Sequence, residues 1–222
     1  MPFSAKTPEF LFENYAHDSK EWFHEHKSDY EKYVKLPFKE LVERLEPIMA
    51  KIDDKISCDP KRLSRIYRDA RYSRGQSVFR NNAWYTFCRT REEATSMPCL
   101  YFGVSPAGFD YGCGYYHAST ASMEAVRRLI LSGDSSFAAA KEAYNGQDVF
   151  VLGGEMYKKD HYPERSEEDK LWLNRRNIWL GFDSDDFKTL YSKSLYKKVG
   201  EDFLKIAPVY SFFMKAEQIR ED

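Results

Sequence analysis

The chain has 222 residues, of which 42% are hydrophobic, 16% aromatic and 31% charged, and its formal net charge at neutral pH is −1. That length supports a packed core, and the aromatic content argues against a disordered chain. The near-zero net charge argues against bulk attraction to nucleic acid or an anionic membrane, so nucleic acid is not the favoured partner.

One domain over residues 1–222 is expected, helical over 1–56, sheet-rich over 60–118 and mixed helical over 119–222. No apolar run approaches the roughly eighteen residues of a membrane helix. Met1-Pro2-Phe3-Ser4 lacks the basic and then apolar regions of a secretory leader, so a cytoplasmic location with no membrane partner is expected. Cys58, Cys88, Cys99 and Cys113 lie far apart with no zinc-ligand spacing, and read as reduced thiols with no metal.

Thr7-Pro8-Glu9 predicts a helix start, with the hydroxyl as cap and proline at the first helical position. Asp18-Ser19-Lys20-Glu21 predicts a second, followed by Trp22, Phe23, His26, Tyr30, Tyr33 and Val34 at helical spacing, and Pro37 should end or kink that helix. Phe38 to Ile52 keeps one face apolar up to Asp53-Asp54. Strands are predicted over Leu63 to Asp69, Ala83 to Arg91, Cys99 to Ser105 and Phe109 to His117, the last two closing a hairpin at Ser105-Pro106-Ala107-Gly108. Helices follow over Ser119 to Leu131 and Ser135 to Tyr144, then strands near Val149 to Leu152 and Ile178 to Phe182. A helical end, Phe187 to Arg220, breaks at Pro208. The fold class is α+β: a central antiparallel meander with helices from both chain ends packed on it.

From Lys61 to Arg91 nine basic residues face Asp69 alone, a local +8 that leaves −9 for the rest of the chain. Within it, Arg62, Arg65, Arg68, Arg71 and Arg74 recur at every third position. No regular element puts such a series on one face: a strand sends Arg65, Asp69 and Arg71 one way and Arg68 the other, so these arginines must do different jobs. Guanidinium forks match phosphate and carboxylate, which makes the cluster a candidate anion site. The alternative is that they pair with the acidic surplus elsewhere, their stems packed on Tyr67, Tyr72 and Trp84.

Arg65-Ile66-Tyr67-Arg68-Asp69-Ala70-Arg71-Tyr72-Ser73, with Glu21-Trp22-Phe23 and Tyr30 before it and Gly112-Cys113-Gly114-Tyr115 and Lys158-Lys159 after it, resembles the domain-of-unknown-function 2461 family of bacterial and fungal proteins over nearly the whole chain. The chain departs from the family pattern at Gln76, where a lysine is usual, and at Asp160, where a proline is usual. The resemblance implies a fold and the position of a site, not a chemistry or a cofactor.

Catalytic templates fit poorly. His24-Glu25-His26 lacks the helical spacing of a zinc protease and reads as a solvated helix face, and Gly153-Gly154 and Gly112-x-Gly114 read as turns or bulges. Asp148, Glu155 and Lys158 are similar to the carboxylate, carboxylate and lysine set of some magnesium nucleases, with the last spacing one residue too long. Tyr111, Tyr115, Tyr116 and His117, with Trp84 and Tyr85, could wall an aromatic pocket for a ring, or simply fill the core.

The leading expectation is binding of an anionic, phosphorylated small molecule or nucleotide by Arg65, Arg68, Asp69, Arg71, Arg74, Arg80, Arg89, Tyr115 and Lys158. Its rivals are a metal-dependent phosphodiester hydrolase and a non-enzymatic interaction protein whose arginines build internal ion pairs.

Overall fold

The computed structural model describes residues 2–69, 71, 77–90 and 95–220. Helix α1, Lys6–His17, begins one residue before the expected cap. Thr7 sits inside its first turn, buried, and its hydroxyl donates to the Tyr33 carbonyl at 2.7 Å. The threonine therefore fastens α1 to a later segment instead of capping it. Helix α2, Lys20–Glu25, does start as the sequence implies, with Ser19 Oγ accepting from the Trp22 N–H at 3.2 Å.

After α3, Lys27–Tyr30, the backbone widens into a π turn over Glu31–Lys35, and α4, Leu36–Ile52, carries Pro37 in its first turn. Proline has no N–H to give to the preceding turn, and a local π turn accommodates that loss without ending the helical run.

The sheet has order β1-β2-β3-β5-β4 and is antiparallel throughout. Its strands are β1 Ala83–Phe87, β2 Cys99–Ser105, β3 Gly108–Gly114, β4 Val151–Gly153 and β5 Trp179–Ser184. The first three form the expected meander. The chain then leaves for α5, Thr120–Leu131, and α6, Ser135–Asn145, before β4 takes the outer edge and β5 returns between β4 and β3.

Alternation along the strands separates two faces. One carries Tyr85 and Phe87, Leu100, Phe102 and Val104, Phe109, Tyr111 and Cys113, and Leu180 in register, all buried. Helix α1, with α9, Leu195–Lys205, and α10, Ala207–Ile219, packs on it; Pro208 stands at the start of α10, where the expected break falls. Helices α5 and α6 lie against α10. The opposite face carries Trp84, Tyr101, Asp110, Trp179 and Asp183, with Gly103, Gly112 and Gly181 among them.

Glycine is required there by close approach. A Cβ on Gly112 would stand 2.0 Å from the Leu180 carbonyl oxygen. Gly112, Gly114 and Gly153 lie within strands, so the expected turns or bulges at these positions are corrected to sheet.

Two strand ends differ from expectation. Strand β1 stops at Phe87 because Cys88 turns away to bridge Ser57, and the Cys88 and Arg89 carbonyls accept from Arg62. Strand β3 stops at Gly114, whose φ of 147° suits glycine. The helix α7, Glu167–Leu173, was not anticipated, although Ser166 caps it from Asp169 and three acids fill its first turn. Among the described residues no helix is long and apolar enough to cross a membrane.

Candidate functional site

The segment expected as a strand over Leu63 to Asp69 is extended but pairs only locally. Tyr67 bridges Phe79 in antiparallel fashion, Arg68 N–H donates to the Val78 carbonyl at 2.8 Å, and Arg80 N–H donates to the Ile66 carbonyl at 2.9 Å. Ser64 joins this hairpin to β1: its N–H donates to the Trp84 carbonyl at 2.9 Å, and its hydroxyl accepts from the Trp84 N–H at 3.0 Å.

The aromatic residues of the hairpin hold it in place. The Tyr67 and Phe79 rings meet at 4.7 Å, tilted by 37°, and both touch Phe23 of α2, at 5.4 and 5.3 Å, while Asp18 at the end of α1 accepts from the Phe79 N–H at 3.1 Å. Phe79 is buried against Phe23, whereas Arg68 and Arg80 stay partly exposed. Arg80 lies over the Trp84 ring, 4.8 Å from its centroid. Arg68 braces the turn by donating from Nε to the Phe79 carbonyl at 3.2 Å.

Burial lowers the proton affinity of Arg80, and the neighbouring charges of Arg68 and Arg65 lower it further, against smaller opposing effects of Tyr116 and Asp69. These three guanidinium groups therefore share one electrostatic neighbourhood beside Trp84.

Asp69 and Arg71 form a pair of their own. Arg71 donates from Nε to Oδ1 at 3.0 Å, from Nη2 to Oδ2 at 2.6 Å and from its backbone N–H to Oδ1 at 3.1 Å. The side-chain bond from Arg71 is the largest cause holding the Asp69 carboxyl well below the usual carboxylate range. Arg71 itself is largely exposed.

The other expected members lie elsewhere. Arg74 falls outside the described residues. Arg89, beyond the far end of β1, donates from Nε to Asp53 Oδ2 at 2.7 Å, and the same oxygen accepts from the Tyr210 hydroxyl at 2.8 Å. Tyr115 is corrected from pocket wall to core: it is buried, its ring is 5.6 Å from Phe213, and its hydroxyl donates to Glu217 at 2.7 Å. Tyr85 and Tyr111 are buried on the helix-covered face, so of the expected aromatic wall Trp84 stands on the other face of the sheet and Tyr116 is exposed. Lys158 is exposed after β4, at the opposite edge of the sheet from β1.

Of the expected solvated helix face, His24 and Glu25 are exposed, and His26 is half-buried against Trp22. Its ring stacks 4.0 Å from Trp22, which meets His17 on its own account at 4.8 Å, and its Nδ1 lies 2.8 Å from the Trp22 carbonyl.

Among the described residues no group of three or more His, Cys, Asp or Glu side chains is placed to hold a metal. Glu155 of the expected metal trio pairs instead with Arg176 at 3.0 Å. Sequence reasoning missed Arg127 and Arg175, both buried. Arg175 spends its donors on the Leu171, Gly154 and Leu152 carbonyls, and Arg127 on those of Leu173 and Arg175. Nothing in their local sequence marks them.

No curated protein matches the chain. The sequence pattern of the family described as conserved hypothetical protein (DUF2461) matches residues 6–212, a span containing α1, the arginine hairpin and the entire sheet. The chain thus belongs to the DUF2461 family.

Proposed function

We propose that the chain binds an anionic, phosphorylated small molecule or nucleotide at the Arg65, Arg68 and Arg80 cluster. The observation that carries this reading is Arg80 partly buried over the Trp84 ring, where burial first and then the charges of Arg68 and Arg65 lower its proton affinity. A bound anion relieves that repulsion and replaces the lost hydration of Arg80 with charge-assisted hydrogen bonds. Trp84 beneath Arg80 holds the guanidinium plane in place and offers an aromatic surface beside the anion. Asp69 keeps Arg71 at the rim of the same loop, and because both its oxygens accept from Arg71 it competes weakly for the remaining arginines.

A thermal-shift screen against nucleotides, sugar phosphates, pyrophosphate, phosphate and sulfate tests the reading. A ligand at about a hundred times its dissociation constant stabilises the fold by roughly 2.7 kcal/mol, a shift of a few degrees in a chain of this size. A phosphorylated hit that loses its shift in Arg65→Ala/Arg80→Ala supports the site. A screen flat across all of these compounds removes it.

A further inference from the structure

A second cavity, of about 310 Å³, opens between the start of α5 and the loop after β4, with Thr120, Arg127, Glu155, Tyr157 and Arg176 in its wall. That volume is at the low end of the range for small-molecule sites. Its lining is polar and its groups are held in place. Arg127 is only 8% exposed, and its Nε and Nη2 are fixed by the Leu173 carbonyl at 3.0 Å, the Arg175 carbonyl at 2.5 Å and the Tyr157 hydroxyl at 3.3 Å. Its Nη1 makes no hydrogen bond to any described residue. That amino group is not sealed from solvent and is free to meet an acceptor in the cavity.

Three further features surround it. Tyr157 lies under both cations, 5.3 Å from Arg127 and 6.0 Å from Arg176. Arg176 gives Nη1 to Glu155 at 3.0 Å, leaving donors to spare. In the first turn of α5, Ser119 Oγ takes the Ser122 N–H and Ser119 O takes the Met123 N–H, while the N–H groups of Thr120 and Ala121 find no acceptor among the described residues. Those N–H groups carry the positive end of a 12-residue helix.

We propose that this cavity binds the carboxylate group of a small hydroxy or amino acid. Arg127 and Arg176 against Glu155 leave one net positive charge in the wall, which matches a monoanion and penalises the second charge of a phosphate. The carboxylate meets Arg127 Nη1, Arg176 and the α5 amides. Glu155 accepts from the hydroxyl or ammonium group of the same molecule. None of Arg65, Arg68, Arg80 and Trp84 lines this cavity.

The test is a titration of sodium acetate into the full ¹⁵N-labelled chain, followed by the amide resonances of Thr120 and Ala121. Those two amides are expected to shift saturably. Arg176→Gln, at a half-exposed side chain that the core does not need, should weaken acetate by about tenfold or more, the scale of a lost charge-assisted hydrogen bond. Arg65→Ala/Arg80→Ala should leave the acetate shifts unchanged. Amides that do not move, an Arg176→Gln chain that binds acetate as well as the parent, shifts abolished by Arg65→Ala/Arg80→Ala, or tighter binding of inorganic phosphate than of acetate would each overturn the proposal.

Discussion

The Arg80 guanidinium sits 4.8 Å from the centroid of the Trp84 ring, on the face of the sheet away from the helices. The contact ties the arginine hairpin to β1 in addition to the two Ser64–Trp84 hydrogen bonds. It also fixes where the cationic group can meet a ligand. Replacing Trp84 with leucine removes the aromatic support, worth about 0.5–2 kcal/mol. Affinity for a phosphorylated ligand, measured by calorimetry with pyrophosphate as probe, should fall severalfold while the melting temperature changes little.

Arg89 and Arg71 occupy the same basic stretch but are predicted to behave oppositely to one another on truncation. Arg89→Ala strands Asp53, whose side chain is 8% exposed and which also accepts from Tyr210. Removing one partner of such a buried pair costs about 3 kcal/mol, and Tyr210→Phe about 1 kcal/mol, both readable from urea unfolding. Arg71→Ala removes an ion pair at a largely exposed side chain and should lower the urea midpoint only slightly.

Asp202 of α9 is buried, and burial alone would raise its proton affinity. Bonds from Lys205 at 2.8 Å, the Tyr111 hydroxyl at 2.7 Å and Lys198 at 3.0 Å outweigh that and leave it lowered. A carboxyl that is more acidic folded than unfolded adds stability above its unfolded value, about 3.9, and loses it as pH falls through the lower folded value. The stability gap between the parent and Asp202→Asn should therefore be full at neutral pH and close in acid.

Asp110 has the opposite sign. Burial first, and then the charge of Asp183 directly across the β3–β5 ladder, raise its proton affinity. Its ionised form opposes folding at neutral pH, and that penalty fades as pH falls through the raised folded value. Asp110→Asn should raise the melting temperature near neutrality by a few degrees, with the gain shrinking in acid. An unchanged melting temperature would contradict this reading of the pair.

Much of this architecture is legible from local chemistry. Alternating apolar residues place β2 over Cys99–Ser105, and the Ser19 cap places α2. The α+β class follows from where strands and helices gather along the chain. Tertiary contacts decided the rest. Thr7 looks like a cap but is drawn inward by the Tyr33 carbonyl, and Tyr115 looks like a pocket residue until Glu217, far along the chain, takes its hydroxyl. The arginine periodicity announced a special segment but not its division of labour. Tertiary contacts set that division: Arg68 goes to the Phe79 carbonyl, Arg80 to the Trp84 ring and Arg89 to Asp53. Arg127 left no sequence signal, because its two shortest hydrogen bonds go to backbone carbonyls, which every residue carries.

The most direct test of the central claim is calorimetric titration of pyrophosphate into the parent chain, Arg65→Ala, Arg80→Ala and Arg71→Ala at two salt concentrations. The account predicts binding that weakens with added salt, falls by about tenfold or more when Arg65 or Arg80 is removed, and depends less on Arg71. Pyrophosphate binding that is indifferent to both Arg65 and Arg80, or no binding at all, would contradict it.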